Sequence, residues 1–239
     1  MADLTERLAA QQRRFTESGA EPVPARIAAT VLLLRPAAPP GPGLEVYLLR
    51  RAASMAFASG VYAFPGGAVD PADYRADPVA GDWPARLGRP EPEASAVVRA
   101  AVREVAEETG VRLSAGDLVA WTRWITPECE PRRYDTHFFL APLPDRQQPA
   151  DVSGEADSTE WARPAVAVAR FGAGEIAMFP PTAVTLGELA ACGSVAEALA
   201  AAGGRDTATP ILPRIEWEPD GTARLVTDRP AAQPGGGAP

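Results

Sequence analysis

The sequence predicts an α+β fold, and three observations carry the prediction. Apolar runs of strand length come in pairs joined by turn-rich loops, at residues 26–35 with 44–51 and at 118–126 with 134–141. Residues 95–109 repeat apolar side chains at helical spacing and stop at Gly110. Shorter helical patterns follow from residue 164, and Pro219-Asp220-Gly221 joins a last pair of strands.

Taken in order, residues 3–15 place Leu4, Leu8 and Ala9 on one face with Asp3 available as a cap, an amphipathic helix that Pro22 and Pro24 end. Residues 26–35 read as a buried strand, 37–43 as a Pro- and Gly-rich loop, and 44–51 as the partner strand of a hairpin. After an irregular stretch at 55–60, residues 61–64 form a short apolar strand running into Pro65-Gly66-Gly67. Two adjacent glycines there suit either a plain turn or a backbone that something approaches closely. Residues 70–92 read as a long loop with one helical turn near 83–87; a loop of that length in a compact domain tends to be functional or disordered. The long helix starts near Ser95 as a cap and carries the apolar stripe Val98, Ala101, Val102 and Val105. Further on, a strand is expected around Trp161, helices open at Pro164 and Pro180, and Ser194 caps another. The Pro-, Gly- and Ala-rich tail from residue 230 is expected to be disordered.

Composition excludes several classes of function. With 46% hydrophobic and 23% charged residues over 239 positions, the chain is an ordinary globular protein with enough sequence for a real core. Its net charge of −8 argues against sequence-independent nucleic-acid binding. All 23 basic residues are Arg, so an acidic substrate must be met by local Arg and a metal. Cys129 and Cys192 have no metal-type spacing and read as reduced thiols. The charged opening Met-Ala-Asp-Leu-Thr-Glu-Arg is unlike a signal peptide, and the run at 27–34 is too short to span a bilayer, so a cytoplasmic protein without a membrane partner is expected.

The chemistry gathers on the long helix. Glu104, Glu107 and Glu108 stand at i, i+3 and i+4 on one face, beside the apolar stripe rather than opposite it. Each like-charge pair at that spacing costs ~0.2–0.5 kcal/mol, so the three are either well solvated or share a cation. Carboxylate oxygens at this density suit Mg²⁺ or Mn²⁺. Arg132 and Arg133 read as surface residues or as phosphate ligands, and Tyr134 lies next to them among strand aromatics that form core or stack a base. His137, the only histidine, reads as a packed strand residue rather than a catalyst.

The run Arg103-Glu104-Val105-Ala106-Glu107-Glu108-Thr109-Gly110-Val111 is similar at every fixed position to the second half of the Nudix box, and Phe64-Pro65-Gly66-Gly67 resembles the turn that opens that box. The departure is between them. Where the family has a Glu seven residues before the Arg, here 29 residues separate Asp73 from Arg103, with Asp70 and Asp73 as stand-ins for that Glu. This inserted stretch, residues 74–94, together with Arg133-Tyr134-Asp135-Thr136-His137-Phe138-Phe139, resembles the subgroup that includes peroxisomal coenzyme A diphosphatases. The Leu-Arg and His found before the box in coenzyme A-cleaving members are absent from residues 50–61.

The resemblance implies an α-β-α sandwich around a mixed β-sheet, with extra N-terminal and C-terminal helices and a C-terminal hairpin. It implies a helical extension at 1–24, a Nudix hydrolase domain at 25–229 and a tail at 230–239. It also implies hydrolysis of a nucleoside diphosphate linked to another moiety, with coenzyme A or acyl-CoA leading, then nucleotide sugars, dinucleotides or NAD(H); a non-catalytic ligand sensor is the alternative. Glu104, Glu107, Glu108, Gly66 through its carbonyl, and Glu155 would be metal ligands for Mg²⁺ or Mn²⁺. Glu104 or Glu155 would be the base, with Arg103 fixing a carboxylate rotamer. Gly67, Arg132, Arg133 and Tyr134 would meet a small-molecule diphosphate. The insertion is expected to border the cleft, and a homodimer is left open.

Overall fold

A strand buried on both faces must find partners along both edges, and the strand at residues 26–36 organises the molecule in this way. The computed structural model describes residues 2–39, 42–52, 60–75 and 77–228; the tail and most of the irregular stretch at 55–60 lie outside them. Strand β1 (Arg26–Pro36) runs parallel to β6 (Tyr134–Pro142) from Arg26 opposite Tyr134 to Leu34 opposite Pro142. Its other edge is shared. Ala28–Thr30 pair antiparallel with β4 (Gly66–Ala68), and Leu34–Pro36 with β2 (Leu44–Arg51).

Strand β2 in turn pairs with β3 (Val61–Ala63) and, on its far edge, with β7 (Ala156–Ala162). The segment β3–β4 thus fills the gap where β1 and β2 part, one strand on each side of it. The Val31 N–H donates to the Pro65 carbonyl at 2.9 Å and pins the turn between them. With β5 (Val119–Ile125) on β6 and β8 (Ala177–Met178) on β3, eight strands make one mixed sheet.

Helices cover both faces, because β1 alternates apolar side chains with a period of two. Ala29, Val31 and Leu33 face α3 (Glu93–Thr109) and the short α2 (Trp83–Leu87). Leu32 and Leu34 face a second core built with α4 (Pro164–Gly172), α5 (Pro180–Leu189) and α6 (Val195–Ala202). The expected α-β-α sandwich is therefore present. The expected N-terminal helix is α1 (Ala2–Ser18), with Asp3 inside it, and the C-terminal hairpin is β9 (Arg214–Trp217) with β10 (Ala223–Val226). The two meet where the Arg13 guanidinium lies 4.0 Å from the Trp217 ring centre. No helix among the described residues is long and apolar enough to cross a membrane.

Ser95 does not cap α3, which starts two residues earlier behind Pro92. Its hydroxyl is fully buried, accepting from Val79 N–H and donating to Glu91 Oε1, both at 2.8 Å. The inserted stretch also departs from a plain loop. Trp83 and Leu87, one helical turn apart, bury themselves in the core under α3, and Trp83 meets Phe139 edge-on at 6.0 Å. Arg89 then reaches the sheet: its Nε–H donates to His137 Nε2 at 2.7 Å and its Nη2 pairs with Asp135, which also receives two bonds from Arg123, while its Nη1 pairs with Glu93. Asp73, just ahead of the stretch, reaches Arg103 on α3; within it Trp83, Leu87 and Ala94 are buried, while most of the other described residues are exposed. A Pro- and Asp-rich composition hides this, since two buried side chains do the packing.

Candidate active site

Helix α3 ends where Gly110 takes a left-handed conformation, φ 72°, and its N–H returns to the Ala106 carbonyl at 3.0 Å. Its last turn grades from core to solvent: Glu108 is 8% exposed, the Glu104 side chain 15% and that of Glu107 59%. Glu108 Oε2 accepts the Gly66 N–H at 2.9 Å. A Cβ on Gly67 would lie 2.4 Å from Glu104 Oε1, and one on Gly66 would lie 2.3 Å from the Ala29 carbonyl oxygen. Both glycines are therefore required for close approach, one by the acidic side chain and one by the backbone of β1. Gly67→Ala is expected to displace the Glu104 carboxylate and cut activity at least ~10-fold with little change in urea midpoint, the response of a site needing ångström placement; wild-type kcat/KM in that variant would refute it.

Arg103 is the hub. Its Nη1 donates to Glu104 Oε1 at 2.8 Å and Glu107 Oε2 at 3.0 Å, its Nη2 to Asp73 Oδ2 at 2.9 Å and the Ala68 carbonyl at 3.1 Å, and its Nε to Asp73 Oδ1. Asp73, buried in a 3₁₀ turn, raises the guanidinium's proton affinity most, so the Arg is always charged. Of the two stand-ins for the missing Glu, Asp73 makes the bidentate pair while Asp70 stays 3.9 Å away.

Burial is the main cause that pushes Glu108 up to about 7; the Gly66 N–H pulls it back, and Glu104 and Glu155 push it further up. Glu104 is raised for the same reason, with Arg103 opposing and Glu107 and Asp70 adding to it. Four glutamates and Asp70 thus repel one another at one end of the sheet, a mutual destabilisation that a cation relieves.

A family profile described as NUDIX domain matches residues 24–180. The chain belongs to the Nudix family. Among solved structures it is similar to a NUDIX hydrolase from Alicyclobacillus acidocaldarius, at 27% identity and TM-score 0.62 over 74% of this chain and 96% of that one. It is also similar to the Ap4A hydrolase of C. elegans, at 18% identity and TM-score 0.45 over 70% and 96%. A search of curated proteins finds no match. The Nudix protein is accordingly a hydrolase of pyrophosphate bonds in small nucleoside diphosphate derivatives, and Nudix hydrolases generally use divalent metal ions.

Among the described residues no three His, Cys, Asp or Glu side chains stand ready as a metal cage. The reason is visible in the Nudix helix, where Arg103 draws Glu104 and Glu107 together and Gly66 holds Glu108. The donor set nevertheless fits a hard cation. It is all carboxylate oxygen, it is self-repelling, and Gly67 leaves Glu104 the space that a Cβ would fill.

The other sequence-predicted residues divide. Glu155 is exposed just before β7, and its charge reaches Glu108. Arg132, Arg133 and Tyr134 are not brought to the Nudix helix. Tyr134 lies four residues along β6 from Phe138, which is level with Gly66 across β1, so roughly 13 Å along the sheet separates them. Arg133 donates to the Thr126 and Val23 carbonyls. Arg132 and Tyr134 line a cavity of about 460 Å³ with Trp124, Phe138, Phe179 and Leu8 of α1. Sequence reading missed Arg51 at the end of β2, whose charge also reaches Glu108. The second Arg of an Arg50-Arg51 pair before an irregular stretch carried no signal.

Proposed function

We propose a Mg²⁺- or Mn²⁺-dependent diphosphohydrolase acting on a nucleoside diphosphate linked to another moiety, with coenzyme A or an acyl derivative first among substrates. The carrying observation is the oxygen-only carboxylate group of Glu104, Glu107 and Glu108, cleared by Gly67, with the charge of Glu155 reaching Glu108. These glutamates, with the Gly66 carbonyl, would hold the ion, which supplies charge neutralisation and a more acidic water. Arg103 fixes the rotamers of Glu104 and Glu107 by bonding both. Glu104 and Glu155 are the two acceptors for the water's proton: Glu104 has the raised proton affinity, while Glu155 is exposed. The pH limb of kcat/KM that survives in Glu155→Gln assigns the proton to Glu104, and its loss assigns it to Glu155.

The inserted stretch that resembles coenzyme A diphosphatases supports placing coenzyme A first. The test is a panel of coenzyme A, acyl-CoA, nucleotide sugars, dinucleotides and NAD(H) with Mg²⁺ or Mn²⁺. Coenzyme A compounds are expected to show the highest kcat/KM, by about tenfold or more, the usual worth of one well-filled pocket. A different best substrate would remove coenzyme A from the reading, and no cleavage of any compound would leave the sensor alternative.

A further inference from the structure

A diphosphate brought to this cleft meets carboxylates and arginines, and nearly all the arginines are committed. Arg103 is spent on Asp73, Glu104, Glu107 and the Ala68 carbonyl. Arg99 is spent on the Asp73 and Asp77 carbonyls, and Arg89 and Arg123 on Asp135. Arg51 differs. Its Nε is buried without a hydrogen-bond partner among the described residues. A guanidinium N–H shut off from water and left unpaired is costly, and the cost is recovered when an acceptor arrives.

Its position points to which acceptor. Tyr47 and Leu49 of β2 pack into the core under α3, and the two-residue period of a strand carries Arg51 to that same face, the register shift beside Arg50 falling on β7, where Asp157 is the extra residue. In the sheet it is level with Ala156, next to Glu155, and the Ala52 N–H donates to the Glu155 carbonyl at 2.8 Å. Arg51 therefore ends its strand beside the Glu155 backbone, and the charges of both residues reach Glu108.

We propose that Arg51 is a substrate-binding residue of this cleft, its guanidinium taking phosphoryl oxygens of the diphosphate from the β2–β7 side. The inference rests on the diphosphohydrolase reading. A planar fork matches two phosphoryl oxygens at once, and Lys supplies the charge without the fork.

The experiment compares wild type, Arg51→Gln and Arg51→Lys in the full chain, by KM and kcat on the best diphosphate substrate and by calorimetric affinity for inorganic pyrophosphate with Mg²⁺. Arg51→Gln is expected to raise both KM and the pyrophosphate Kd ~10- to 100-fold, with a smaller fall in kcat, an unchanged urea midpoint and Arg51→Lys in between. Unchanged KM and Kd in an active enzyme would overturn the inference and leave the diphosphohydrolase reading standing. So would a lowered urea midpoint without a change in Kd, which would make Arg51 a counter-charge for Glu108. A wild type that cleaves nothing yet binds pyrophosphate through Arg51 would sink the hydrolase reading alone, and a wild type that does not bind pyrophosphate would sink the inference. If Arg51→Gln does not fold, Arg51→Lys decides by the same two constants.

Discussion

Glu108→Gln is expected to lower kcat by ~10²–10³ or more at saturating Mg²⁺ while leaving the fold intact, the range seen when a charge-stabilising group of an active site is removed. The substitution separates the two roles of this side chain. Its carboxylate accepts the Gly66 N–H, and a Gln carbonyl oxygen can accept the same bond. What Gln cannot supply is negative charge for a cation. Removing a buried carboxylate pushed up to about 7 by burial also relieves repulsion from Glu104 and Glu155, so stability at neutral pH should hold or rise. Glu107→Gln is the partner experiment. That side chain is 59% exposed and gives the fold only one surface ion pair with Arg103, worth ~0–1 kcal/mol, so a comparable loss of kcat there could not be laid to folding. If both variants keep wild-type kcat, the carboxylate platform is not the catalytic centre.

Acid should unfold the wild type more readily than the His137→Gln variant. His137 is 1% exposed, and burial, then the charges of Arg89 and Arg123, push it down to about 3 from 6.5. The folded value lies below the unfolded one. Between those values the unfolded chain binds more protons, so this group's contribution is fully present above about 6.5 and is lost as pH falls toward 3. The slope is at most ~1.4 kcal/mol per pH unit, and the whole span is of the order of a domain's total stability. Glu108 works the other way. Its folded value is raised, so its contribution is present below 4.5 and fades as pH rises toward 7, partly masking His137 in between. The difference between wild type and His137→Gln isolates the contribution of His137, because Gln offers the Arg89 Nε–H an acceptor that does not titrate. Chemical denaturation from pH 7 to 4 checks it: a gap that does not widen as pH falls would mean that His137 stays protonated in the fold.

Much of this was legible along the chain. Helix α3 and its Gly110 stop, the Ser194 cap of α6, the turn of helix at Trp83–Leu87 and the terminal hairpin depend on local spacing and turn chemistry, which a linear reading contains. The same holds for Glu104, Glu107 and Glu108, which share a face because a helix repeats every 3.6 residues. Ser95 misled because a hydroxyl near a helix start looks like a cap until its burial is known.

What only the tertiary structure decided depends on residues far apart in sequence. Asp73 rather than Asp70 holds Arg103, across 30 positions, because the 3₁₀ turn buries one and leaves the other outside. Arg89 crosses 46 positions to Asp135 and ties an apparent loop to the sheet. The charges of Arg51 and Glu155 act together on Glu108 only because β2 pairs with β7 and brings the end of one strand level with the start of the other. Spacing along a chain fixes which groups share one element; which elements end side by side is set by burial of both faces of β1, and no local pattern records it.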